Sequence, residues 1–398
     1  MAKKNSKKTV PELRFRGFTD PWEQRQSSEL FVPVKENGHS DLPVLSATQS
    51  EGMVYRDDQS RDIKFKKDNL GSYKLVRAGD FVISLRSFQG GFELSDKTGI
   101  VSPAYTVFTH AECSSQDNGY WKQYFKRRSF IESLKTVTFG IRDGKAISFS
   151  DFSSLKCIFP TLPEQRLIGQ FFKTLDSLIA AAERQEALLK QKKQAYLQLM
   201  FPREGETEPR LRFAGFSGQW QQRQLGEVTV ERTQRSADGE LLSVSMSRGV
   251  YPASLSDRKD NSSTDKSNYK RLAAGDIVYN SMRMWQGACG LSPYGGIVSP
   301  AYTVVAPTEE VDARYLVDLF KTTRMLQKFQ RDSQGLTSDT WNLKYPAFSK
   351  IGCSFPTLPE QRRIGEFFST LDSLIAATEK RTASLRALKS AYLQRMFV

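Results

Sequence analysis

Histidine is almost missing from this chain. There are two in 398 residues, His39 and His110. Cysteine is scarce too: Cys113, Cys157, Cys289 and Cys353, none in a CxxC pair. The usual zinc spacings cannot be assembled from these residues, so no metal site is expected. A Ser-His-Asp site would have to rest on one of the two histidines. The GxxxxGK[ST] phosphate loop is lacking, and GIRDGKA at 140–146 has the wrong spacing. NPPY, DPPY, GxGxxG, HExxH and GxSxG are missing as well. No apolar run approaches the ~18 residues that a membrane span needs. The opening MAKKNSKKTV has no secretory apolar stretch, and Ala2–Lys8 reads as a disordered basic tail. These absences predict a cytoplasmic, non-catalytic protein that binds no membrane.

What is abundant is positive charge. Lys and Arg number 58 against 44 Asp and Glu, a net charge of +14. Such a surplus favours a polyanion partner, although a merely basic soluble protein would look the same. The length exceeds what one core serves, so at least two domains are expected.

An internal repeat sets their order. Phe159–Phe201 and Phe355–Phe397 align without gaps at an offset of 196, with 30 of 43 positions identical. PELRFRGFTDPW (Pro11–Trp22) matches PRLRFAGFSGQW (Pro209–Trp220), and GIVSPAYTV recurs at Gly99–Val107 and Gly296–Val304. Other stretches differ, such as Glu36–Asp68 against Glu231–Lys266. The predicted organisation is a variable domain at 1–158, a helical segment at 159–201, a variable domain at 202–354 and a helical segment at 355–398. Cys157 and Cys353 fall at equivalent places and are expected to be small buried apolar groups.

Each helical segment opens with a Pro-x-x-Pro stretch, Pro160–Pro163 or Pro356–Pro359, which blocks backward extension. Thr161 and Thr357 are candidate N-caps, with Glu164 and Glu360 at capping-box distance. Apolar residues then recur at heptad spacing: Ile168, Leu175, Ala182, Leu189 and Tyr196, with a second row of Phe171, Leu178 and Leu199. The second copy has Ile364, Leu371, Leu385 and Tyr392, with Phe367, Leu374 and Leu388. Gln185, Lys192, Thr378 and Arg381 interrupt the seam. Such spacing predicts long helices of roughly 50 Å that pair as a coiled coil. An antiparallel pair would relate the two variable domains by a pseudo-twofold axis. An ordinary helix packed on its own domain is the alternative.

FPTLPEQRLIGQFF…LD and FPTLPEQRRIGEFF…LD resemble the conserved regions of type I restriction-modification specificity subunits. The openings PELRFRGFTDPWEQRQ and PRLRFAGFSGQWQQRQLGEV resemble the start of that family's target recognition domains. The resemblance implies two tandem mixed α/β target recognition domains, separated by two long helices in an antiparallel coiled coil. It implies that the chain reads a split site on double-stranded DNA and binds two modification (methyltransferase) subunits and two restriction subunits. S-adenosylmethionine would then sit on the modification subunit, and ATP and Mg on the restriction subunit, with no cofactor on this chain. A free-standing DNA-binding regulator, or a decoy that sequesters methyltransferase subunits, would suit the same charge and duplication. Two details depart from a strict repeat. Ser27-Ser28-Glu29 stands where the second half has Leu225-Gly226-Glu227, so the first opening element is expected to be set differently; and Arg142-Asp143-Gly144-Lys145 has no second-half counterpart.

DNA-reading candidates follow from side-chain chemistry. The loop after the Gly-Asp-hydrophobic strand holds Arg86, Ser87 and Gln89 in the first half, and Asn280, Arg283, Trp285 and Gln286 in the second. Arg pairs with guanine, and Gln or Asn with adenine, in the major groove. A turn whose Arg and Gln support the sheet is the plainer alternative. Arg142 and Lys145, and Thr340 and Trp341, precede the two helical segments and form a second group. The stretch Tyr120–Phe130 is expected to be an amphipathic helix that buries Trp121, Tyr124 and Phe125 and leaves Lys126, Arg127 and Arg128 in solvent.

Overall fold

The computed structural model describes residues 9–48, 51–58, 67–84, 91–137, 147–256 and 262–398. The basic tail before residue 9, Arg86, Ser87, Gln89, Arg142 and Lys145 lie outside them. The chain divides into two compact units, Met1–Ala182 with Arg381–Val398, and Glu183–Lys380. Each is a mixed α/β body.

In the first unit, strands Phe31–Pro33, Thr106–His110, Phe81–Ile83 and Phe92–Leu94 form an antiparallel sheet in that order. Helix α1 (Asn118–Lys126) and helix α2 (Arg128–Val137) bury Trp121, Tyr124, Phe125 and Phe130 in one cluster with Phe81, Phe92 and Phe108 of the sheet. The stretch is therefore two helices, broken at Arg127, and its charges behave unlike the expectation. Arg127 is buried, stacked 3.7 Å from the Tyr124 ring, with its guanidinium donating to the Val398 carbonyl; Lys126 pairs with the buried Glu93. Arg128 alone of the three lies in solvent. The aromatic face is wide enough to draw the flanking cations over its rim.

Helix α3 (Leu162–Leu199) leaves this unit after Ala182 and enters the second. There, strands Thr229–Glu231, Tyr302–Pro307, Ile277–Asn280 and Cys289–Leu291 repeat the first sheet. A second four-stranded sheet, Gly249–Pro252, Leu241–Ser245, Gly296–Val298 and Lys270–Leu272, packs a small valine-rich core. Helix α4 (Ala313–Phe320) and helix α5 (Thr323–Arg331) take the places of α1 and α2. Helix α6 (Leu358–Arg395) belongs to this unit as far as Lys380 and to the first unit beyond it.

The repeated motif that opens α3 and α6 locks each helix onto its own head. Glu164 and Glu360 do not close a capping box. Each buried carboxylate is gripped by both arms of an arginine from the opening motif, Arg14 (2.7 and 2.8 Å) or Arg212 (2.7 and 2.7 Å). Gln165 donates to the Pro160 carbonyl and accepts from the Asp117 amide; Gln361 does the same with Pro356 and Asp312. Asp117 and Asp312 cap α1 and α4. They lie so close to Gly169 and Gly365 that a Cβ there would meet their carboxylates at 2.4 and 2.8 Å. Glycine is thus required for close approach at these two helical positions. Residues 23–26 and 221–224 pair with 156–159 and 352–355, which ties the start of each head to its end. The opening helices are set alike despite the sequence departure. Ser27–Leu30 and Leu225–Val228 each have an amide, of Gln26 or Gln224, bonded to Glu29 or Glu227. Ser27 satisfies its hydroxyl on the Leu155 carbonyl.

Within each unit, segments of α3 and α6 run antiparallel. In the first unit Phe171 meets Tyr392 (4.9 Å between ring centroids), and Lys389 pairs with Asp176 (2.6 Å). In the second, Tyr196 meets Phe367 (5.0 Å), Lys193 pairs with Asp372, and Lys190 with Glu379. One buried row is as expected from the heptads: Ile168, Leu175, Ala182, Ile364 and Leu371 are buried, while Leu189, Tyr196, Leu385 and Tyr392 are half-buried. The other row lies one residue later than the expectation. Phe172, Phe368 and Ile375 are buried, whereas Leu178, Leu374 and Leu388 are exposed, and Leu199 is 37% exposed. Phe171 and Phe367 flank the seam half-buried. Gln185, Lys192 and Arg381 point outward, and beyond the opening motifs the polar residues held inside are Thr378 and Thr382.

Candidate nucleic-acid interface

The second unit brings the sequence candidates of that half together. Strand Ile277–Asn280 ends in a tight loop closed by the Asn280 amide on the Ala288 carbonyl (2.9 Å). Asn280 Oδ1 accepts from the Met282 amide, and Gly287 turns the chain with φ 84°, a conformation that favours glycine. Met284 is buried and anchors the loop, so Arg283 and Trp285 are left half-buried and Gln286 exposed.

A second loop, 333–342, lies against it. Gln334 and Asn342 bridge its stem, and the Leu343 amide donates to the Ser281 carbonyl (2.9 Å). Trp341 packs edge-on against Trp285, with 5.2 Å between ring centroids. Asp339 reaches Arg283 at 3.8 Å, and Thr340 Oγ1 donates to the Thr337 carbonyl to hold the turn.

Asn280, Arg283 and Gln286 line a concavity of about 650 Å³. Trp285, Thr340 and Trp341 stand beside it. The rest of its wall comes from Leu241–Arg248, Tyr251, Ser262, Ser263, Tyr269 and Tyr302, among others. Among the described residues lining it, the charged groups are Arg248 and Arg283, with no carboxylate, and hydroxyls of serine and tyrosine cover much of the remainder. Arg248 sits over the Tyr251 ring at 5.4 Å and donates to the Leu255 carbonyl. This wall falls largely in the stretch where the two halves diverge. That divergence was the available signal for Arg248 and Tyr251, which side-chain chemistry alone did not single out.

In the first unit the equivalent loop lies outside the described residues, but its frame is present. The Ser84 amide closes on the Gly91 carbonyl (2.8 Å), as Asn280 does on Ala288. Cys157, Cys289 and Cys353 are buried, as was expected of the first and last, whereas Cys113 is exposed. Burial pushes the Cys157 thiol up, that of Cys289 to about 11 and that of Cys353 to about 12, which keeps them protonated. Desolvation lowers His110 to about 4, so it is neutral at ordinary pH. Among the described residues no group of three His, Cys, Asp or Glu side chains is placed to hold a metal, and no helix is long and apolar enough to cross a membrane.

The family described as type I restriction modification DNA specificity domain matches residues 218–387. The crystal structure of a type I restriction-modification S subunit from M. genitalium superposes with a TM-score of 0.61 at 14% identity, covering 98% of this chain and 99% of that one. A chain from a structure on complex assembly and conformational transition of the type I R-M system superposes with a TM-score of 0.52 at 14% identity, covering 94% and 97%. No curated protein matches the sequence.

Proposed function

We infer, from a chain that belongs to the type I restriction-modification DNA specificity family by a domain match in its second half and a repeat of that domain's motifs in its first, that it is the non-catalytic DNA-recognition subunit of such a system. The observation that carries the reading is the concavity where Asn280, Arg283 and Gln286 converge inside the matched domain, whose described lining holds two arginines and no carboxylate. Groups of this type meet base edges and phosphates of a duplex. The loop counterparts in the first half, Arg86, Ser87 and Gln89, together with Arg142 and Lys145, serve the other half-site. The chain works in a complex with DNA and the system's other subunits. Two modification and two restriction subunits complete it, and they hold S-adenosylmethionine, ATP and Mg. The net charge of +14 supports a DNA partner, and it is the DNA partner that calls for a cytoplasmic site of action.

The test is single-molecule sequencing of DNA methylated by this chain together with its methyltransferase partner. A motif in two parts, separated by unread base pairs, is expected. An uninterrupted short motif, or methylation without sequence preference, would overturn the reading.

A further inference from the structure

Arg248 and Arg283, the arginines among the described residues of the concavity, are held differently, and the difference assigns them different work. Arg248 is stacked on Tyr251 and hydrogen-bonded to its own loop at Leu255, so it presents a fixed charge. Arg283 has looser company. Its guanidinium is 3.8 Å from the carboxylate of Asp339, and the two side chains are 40% and 87% exposed. An ion pair so open to water is weak and exchanges readily. Its backbone is not loose. The buried Met284 lies next in sequence, and the Trp285–Trp341 contact and the Leu343–Ser281 hydrogen bond hold the two loops in register.

We propose that Arg283 reads a guanine in the second half-site, and that Asp339 holds the guanidinium in place until DNA displaces it. The proposal rests on the DNA-recognition reading above. A guanidinium fork matches the paired acceptors O6 and N7 of guanine, and a carboxylate offers the same paired acceptors. The single long contact to Asp339, 3.8 Å, draws the guanidinium to that side of the loop and leaves its fork for the base. Displacing so exposed a pair costs a duplex little, so discrimination rests on the arginine itself. Lysine cannot make the planar two-point contact.

The experiment uses the full chain assembled with its methyltransferase partner, and the methylated motif is read by sequencing. Arg283→Lys is expected to make one G·C pair of the motif degenerate, with discrimination there falling about 10- to 100-fold, while the other positions hold. Should this variant silence methylation, competition binding among duplexes carrying each single-pair change gives the same reading. Asp339→Asn is expected to leave the motif intact and raise affinity for the target a few-fold. An unchanged motif with Arg283→Lys overturns the proposal. So does a changed motif with Asp339→Asn, which would make the carboxylate itself a reader. If the unmodified complex methylates without sequence preference, the DNA-recognition reading fails instead, before either variant is informative.

Discussion

Two residues of the repeated motifs explain why those motifs recur. Glu164 is fully buried and its charge is met by Arg14; Glu360 and Arg212 repeat the arrangement. Removing one partner of such a pair leaves an uncompensated buried charge. Arg14→Ala should therefore destabilise the first unit, and Arg212→Ala the second, by about 3–5 kcal/mol, read from denaturant midpoints. A further position breaks the symmetry between the units. Gln123 on α1 donates to Asp176, while the equivalent α4 position is Asp318, near Asp372 and Lys193. Burial raises the Asp318 carboxyl from 3.8 to about 7; Lys193 and Lys321 oppose the rise, and Asp372 and Asp312 add to it. Between those values the folded state keeps a proton that the unfolded chain has lost, so stability falls as pH climbs from about 4 to about 7 and then levels. Asp318→Asn should remove that slope. Its gain should be small at pH 4 and about 2–4 kcal/mol at pH 8, measured by chemical denaturation across that range. A gain that is flat with pH would refute the assignment.

The long helices show how far a heptad pattern reaches. Ile168, Leu175 and Ala182 announce one buried row, because a repeat of seven returns to the same face. The second row was ambiguous, since Phe171-Phe172, Leu178-Ile179 and Leu374-Ile375 offer two adjacent apolar choices each. Adjacent positions differ by about 100° around a helix, so neighbouring segments decide which is covered. The register is testable: Ile375→Asp should cost the second unit more than 2 kcal/mol, and Leu374→Asp less than about 0.5 kcal/mol, by thermal denaturation. Equal effects would mean that the seam lies elsewhere. The capping expectation for Glu164 failed for a related reason. Local spacing allows a bond to the helix start, but the opening motif, 150 positions away, supplies a stronger partner.

At the scale of the molecule, each unit is completed by the end of a long helix. Met200 and Phe201 lie in the second unit's core with Trp220, Tyr315 and Phe368. Met396 and Phe397 lie in the first unit's core with Trp22, Tyr120 and Phe172. Reading 355–398 as a separate helical segment would let it be removed without harm to either head. The cores say otherwise, because that deletion takes Phe397 from one unit and Ile364 and Phe368 from the other. Phe397→Ala should destabilise the first unit by about 3–5 kcal/mol and spare the second, and Phe201→Ala the reverse. Unit-specific melting, followed by hydrogen exchange, checks the pair; a loss shared equally by both units would refute the assignment.

The order of domains and helices was legible in the sequence because it depends on repetition, and repetition survives without coordinates. The motif residues were legible as a set, yet their roles depended on partners far along the chain. Tertiary structure decided which apolar row is covered, which arginine meets which glutamate, and that Asn280, Arg283 and Gln286 share a concavity with Arg248. Those are contacts between segments distant in sequence, and periodicity within one segment carries no information about what will lie against it.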